Sequence, residues 1–128
     1  MQHVLLIALG GSLGAIARYG VSTAVYHATN ETFPWGTLVV NLSGSFLIGA
    51  FIGLFDSADI ATEWRSFLTI GFLGAYTTFS TYTLETVNLL RDGELGQAAA
   101  NVFANNVAGL LLVLLGLSFS RLLLRSFS

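Results

Sequence analysis

From Thr32 to Phe55 the chain carries no charged residue, and an uncharged, mostly apolar run of that length can cross a bilayer, which takes about 20 helical residues. Three other stretches are nearly as poor in charge. Residues 4–26 hold only Arg18, residues 66–90 only Glu85, and residues 96–120 none. A soluble domain needs more polar surface than this chain has, with 9% charged residues, 54% apolar residues and a mean hydropathy of +0.74. The sequence therefore predicts an all-α integral membrane protein. Its 128 residues read as one domain of four transmembrane helices at about 3–27, 35–55, 63–91 and 95–124. The first stretch lacks a cationic leader and a clear cleavage site, so it reads as a retained helix rather than a removable signal.

The third stretch is the unusual one. Within GFLGAYTTFSTYTLE, Gly71 to Glu85, two glycines, two tyrosines, a carboxylate and Thr77, Thr78, Ser80, Thr81 and Thr83 stand where lipid would favour leucine and valine. Polar groups in hydrocarbon are costly, so such a run belongs inside protein or along a wet path. The glycines and adjacent hydroxyl residues predict a helix break near 74–78, which would leave backbone carbonyls and N–H groups without helical partners. Beyond it, Phe79 and Tyr82 share a face at i and i+3. The pair reads either as core packing or as two ring edges, which are electropositive and able to solvate an anion. Glu85 falls closer to a watery mouth.

The other helices carry their own polar marks. Gly10, Gly14 and Arg18 recur every four residues on the first helix, a spacing that allows close helix approach. Arg18 itself either snorkels to a surface or faces a vestibule that attracts anions. On the second helix Asn41, Ser45, Gly49 and Gly53 form a comparable row. Asn41 can donate two hydrogen bonds, which suits either an interhelical tie or a dehydrating anion. Asn101 and Asn105 share a face of the fourth helix, with Asn106 expected to point elsewhere; the first two read as interhelical ties or as pore wall.

Topology follows from the arginines. Four crossings put Arg65, Arg121 and Arg125 on one side, against Arg91 and Arg18 on the other. Three against two is a weak bias for the positive-inside rule. This predicts a chain that inserts both ways and pairs as an antiparallel, dual-topology homodimer, with two broken segments meeting at midplane where their carbonyls share one cation.

GTLVVNL, Gly36 to Leu42, together with GFLGAYTTFSTYTLE, the glycine-arginine row of the first helix and NVFAN of the fourth, resembles the Fluc/CrcB family of fluoride channels over essentially the whole chain. The resemblance implies passive, fluoride-selective export across a microbial cytoplasmic (inner) membrane, conferring fluoride resistance. It implies two antiparallel pores per homodimer and a central structural sodium ion held by main-chain oxygens, here of Gly74 and Thr77. Matched residue by residue, the fluoride pore takes Asn41, Phe79 and Tyr82, with Ser80, Thr81, Asn101 and Asn105 as further candidates, while Arg18 and Glu85 match vestibule positions. The family usually has phenylalanine where this chain has Tyr82, so a hydroxyl replaces the para hydrogen and can bond the ion or a neighbour. Gly109 and Val113 also depart from the family's longer polar row.

The alternative is a small dual-topology, proton-coupled multidrug exporter, which needs a membrane-embedded carboxylate; Glu85 is the candidate. Enzyme chemistry is not expected, since His3 and His27 are isolated and no catalytic or metal-ligand spacing occurs. There is no cysteine and no lysine. A thiolate site and a disulfide are thus excluded, and a nucleic-acid partner is not expected.

Overall fold

The computed structural model describes residues 1–29, 31–57 and 59–126. The described residues are almost entirely helical. The first helix is Gln2–Thr29 and the second Trp35–Phe55. A third segment runs from 62 to 76 and resumes as Phe79–Arg91, and the fourth is continuous over Leu95–Ser126. Two stretches, Phe67–Leu73 and Ala104–Ala108, are wound as wider π-helical turns.

The joints use local chemistry. Pro34 precedes the first turn of the second helix, and the Trp35 indole N–H donates to Glu31 Oε2 at 2.7 Å, tying down the connection before it. At the other end, Arg65 donates through Nη2 to Phe55 O at 2.6 Å, a carbonyl that the helix end leaves bare, and through Nε to Ile60 O in the connection at 3.0 Å. The turn into the fourth helix is a Schellman motif. Gly93 takes φ +80°, its N–H reaches Leu90 O at 3.2 Å, and the Glu94 N–H reaches Leu89 O at 2.8 Å.

Among the described residues, three helices are long and apolar enough to cross a membrane: Gln2–Thr29, Trp35–Phe55 and Leu95–Ser126. Neither half of the third segment reaches the ~20 residues a span requires. Packing brings the halves into the bundle. The first helix lies with Gly10 and Gly14 directly against the backbone of 67–72; a methyl group at either would overlap Phe67 O or Phe72 O. Gly49 and Gly116 do the same between the second and fourth helices, facing Val113 O and Phe46 O. Small residues at four-residue spacing are thus the surfaces on which backbones meet.

A small core forms where the second helix meets the interrupted segment. Val40, Leu73 and Tyr76 are buried there, with Val21, Leu47, Phe51 and Phe72 packed around them. Leu5, Leu9, Ile16, Leu110, Leu114 and Leu122 are exposed on the outside. For these helices an apolar exterior matches hydrocarbon rather than water.

Candidate functional site

The interruption is shorter than the sequence suggests. Helical backbone persists through Gly74, whose φ and ψ are −62° and −33°, to Tyr76. Only Thr77 (φ −80°, ψ 158°) and Thr78 (φ −149°, ψ 115°) are extended, and Phe79 opens the next helix. Gly74, expected within the break, is the last turn before it. Thr78 caps the second half: its Oγ1 accepts the Thr81 N–H at 3.3 Å and donates to Thr81 Oγ1 at 3.0 Å.

Asn41 holds this break open. Its Oδ1 accepts the Thr78 N–H at 2.8 Å, while its Nδ2 donates to Thr78 O at 3.1 Å. The Thr77 N–H still donates back to Leu73 O at 3.0 Å. The next donor in line, Thr78 N–H, would normally serve Gly74 O and is given to Asn41 instead. The second helix comes close enough for this because residue 44 is glycine; a methyl group there would overlap the Thr77 side chain.

From Asn41 a file of amides runs to the fourth helix, and the backbone fixes its direction. A backbone N–H only donates, so Asn41 must present Oδ1 to Thr78 and Nδ2 to Asn105. Asn105 therefore accepts through Oδ1 at 2.8 Å and donates through Nδ2 to Asn101 Oδ1 at 2.9 Å. Its Nδ2 also reaches Asn101 O at 3.0 Å, which demands the same orientation. Asn101, fully buried, passes its Nδ2 hydrogen to Thr86 Oγ1 at 2.9 Å, and Thr86 donates to Tyr82 O at 2.8 Å. The polar side chains here are satisfied and polarised in one sense, the condition under which a buried network rigidifies a fold.

Beside the break lies an open cavity of about 300 Å³. Asn41, Gly74, Thr77, Phe79, Tyr82 and Asn105, all singled out in the sequence, line it together with Ser45, Thr78 and Asn106. The rings of Phe79 and Tyr82 meet edge to face, with centroids 5.5 Å apart and planes at 66°. Tyr82 is buried, whereas Phe79 leaves 75% of its surface exposed. The wall presents hydroxyls and the ring pair, while the amide hydrogens of Asn41, Asn105 and Asn106 are spent on acceptors within the protein.

Other expected residues lie elsewhere. Ser80 and Thr81 are exposed and outside the cavity lining, and Thr81 is occupied in the cap of the second half. Asn101 lies one bond behind Asn105. Arg18 is partly buried on the first helix. Glu85 accepts the Thr37 hydroxyl at 2.7 Å and lines a separate cavity with Ser22, Thr23, Tyr26 and Trp35. Its Oε2 has no hydrogen-bond partner among the described residues.

Asn106 corrects the sequence reading. Expected to face away, it lines the main cavity and donates through Nδ2 to the Tyr82 hydroxyl at 3.0 Å. The reason is the wide turn at Ala104–Ala108, which sets neighbouring residues at a smaller angle than the 100° of an α-helix. Three asparagines in six residues were the one available signal.

Long apolar helices around a pinned backbone break and a polar cavity define a multi-pass α-helical membrane protein. The model of the family described as CrcB-like protein, Camphor Resistance (CrcB), matches residues 5–117. Proteins named fluoride-specific ion channel FluC are similar along most of their length. The one from Salinibacter ruber is 48% identical over 91% of this chain and 87% of its own. That from Shewanella amazonensis is 45% identical over 91% and 94%, and that from Thermus thermophilus 45% over 91% and 93%. The chain belongs to the CrcB family. Its relatives are named as ion channels, a non-enzymatic function.

Proposed function

We propose that this protein is a passive, fluoride-selective channel of the bacterial cytoplasmic membrane. The observation that carries this is the Thr77–Thr78 break, held by reciprocal bonds to Asn41 and opening on a cavity that also presents the Phe79–Tyr82 ring pair. Fluoride is small and tightly hydrated, so a selective path must replace water with close donors yet leave each site weak enough for the ion to leave. Hydroxyls and ring edges are such donors, and an amide becomes one when it releases a bond to its present acceptor. Asn41, Phe79, Tyr82 and Asn105 are the wall of that path.

The working unit is an antiparallel homodimer of four-crossing chains, the broken segment serving as one crossing and each dimer holding two pores. Two features support a partner at this face: Phe79 is three-quarters exposed, and Gly74 beside it is exposed as well. The near-even spread of the five arginines supports insertion in both orientations. A structural sodium ion fits the dimer centre. Gly74 O has lost its helical donor to Asn41 and Thr77 lies in extended backbone, so their carbonyls are available to a hard cation. Bound there, the ion would supply fixed positive charge beside the anion path.

The proton-coupled exporter reading is weaker, because Glu85, on the second half of the broken segment, lines a different cavity from the one at the break. The experiment is ion efflux from proteoliposomes holding the purified chain, loaded with fluoride or with chloride. Fluoride-loaded vesicles are expected to empty while chloride-loaded vesicles keep their contents. Retention of both ions, or equal loss of both, overturns the proposal.

A further inference from the structure

Resting on the channel reading above, we propose that the Tyr82 hydroxyl is a hydrogen-bond donor to the permeating anion and that Asn106 is the residue that positions it. The available hydrogens fix the direction of each bond. Asn106 Nδ2 lies 2.8 Å from Val102 O. A carbonyl only accepts, so this end of the side chain is the NH2 group. The same nitrogen lies 3.0 Å from the Tyr82 hydroxyl oxygen. One amide hydrogen goes to each, and the phenol oxygen is therefore the acceptor.

The phenol's own hydrogen is left over. Among the described residues, Asn106 is the one hydrogen-bond partner of that hydroxyl. Tyr82 is only 7% exposed and lines the cavity beside Asn41, Phe79 and Asn105. A hydroxyl so confined has the cavity as the place to direct its hydrogen. Accepting from Asn106 also polarises the O–H bond and strengthens it as a donor. The ligand class is a small, hard anion, which takes an O–H donor more strongly than the C–H edge that a phenylalanine would offer. At this position the chain thus replaces a ring edge with an aimed hydroxyl.

The test is fluoride and chloride efflux from proteoliposomes for the wild type, Tyr82→Phe, Asn106→Leu and the double variant. Tyr82→Phe removes one oxygen and keeps the ring, so its fold is retained. Its fluoride efflux is expected to fall about tenfold, the scale of one hydrogen bond to a charged group. Asn106→Leu is expected to slow the wild type several-fold and to add nothing once the hydroxyl is gone, the coupling expected of a residue that acts through another. Asn106→Asp is expected to match Tyr82→Phe, because a carboxylate takes the phenol hydrogen for itself. Unchanged efflux in Tyr82→Phe overturns the donor role. An Asn106→Leu effect of the same size with and without the hydroxyl overturns the positioning role, and where that variant does not assemble, unchanged efflux in Asn106→Asp overturns it instead. A wild type that carries no fluoride overturns the channel reading itself, and the inference with it.

Discussion

Asn41 and Thr78 exchange two hydrogen bonds, at 2.8 Å from the Thr78 N–H to Asn41 Oδ1 and at 3.1 Å from Asn41 Nδ2 to Thr78 O. The side-chain amide thereby takes the Thr78 N–H that a continuous helix would have given to Gly74 O, and adds a donor to Thr78 O at the start of the next helix. Substituting Asn41→Asp keeps the acceptor and loses both donors, leaving a carboxylate against Thr78 O and Asn105 Oδ1. The expected cost is about 1–3 kcal/mol or more of stability, with fluoride efflux reduced at least tenfold. Thermal unfolding in detergent and vesicle efflux, measured together, check it.

Asn101 is fully buried and joins Asn105 to Thr86. Asn101→Leu leaves both neighbours short of a partner and is expected to destabilise by about 1–3 kcal/mol. Ser118 provides the contrast, since its hydroxyl bonds its own helix at Leu114 O on an exposed face. Ser118→Ala is expected to shift the melting temperature little, and equal shifts in the two variants would contradict this.

Gly14 meets the backbone of Phe72 with no room for a side chain. Gly14→Val is expected to push the first helix off the 67–72 stretch at about 1–3 kcal/mol. Gly20 has open space around its Cα, so Gly20→Ala is expected to be tolerated. Size-exclusion profiles and melting temperatures of the two distinguish them.

Orientation can be read directly. If copies insert both ways, a tag after Ser128 is accessible to a membrane-impermeant reagent in part of the population from each side of the cytoplasmic membrane. Labelling of all molecules from one side only would exclude the antiparallel pair.

How much of this was legible in the sequence depends on what fixed it. The uncharged run ending at Phe55 and the apolar run from Leu110 to Leu117 announced helices, because hydrophobic length alone dictates them in lipid. The break was legible from Gly74, Thr77 and Thr78, although not its two-residue extent, which depends on where Asn41 reaches across from another helix. Asn106 was misread because its direction depends on a local π turn that an even 3.6-residue periodicity cannot anticipate. The connection of Glu85 to Thr37, 48 residues away, left no local trace. Ser80 and Thr81 were drawn in by composition, yet the helix that starts at Phe79 turns them outward.

In the proposed channel the anion passes the ring pair beside the break. Phe79→Ile keeps apolar bulk and removes the ring whose centroid lies 5.5 Å from that of Tyr82. The direct measurement is fluoride efflux from vesicles holding wild type or Phe79→Ile, with crosslinking of both to test whether each forms the proposed dimer. The wild type is expected to empty its vesicles while the variant, still dimeric, retains fluoride. Emptying at the wild-type rate by Phe79→Ile would contradict the account.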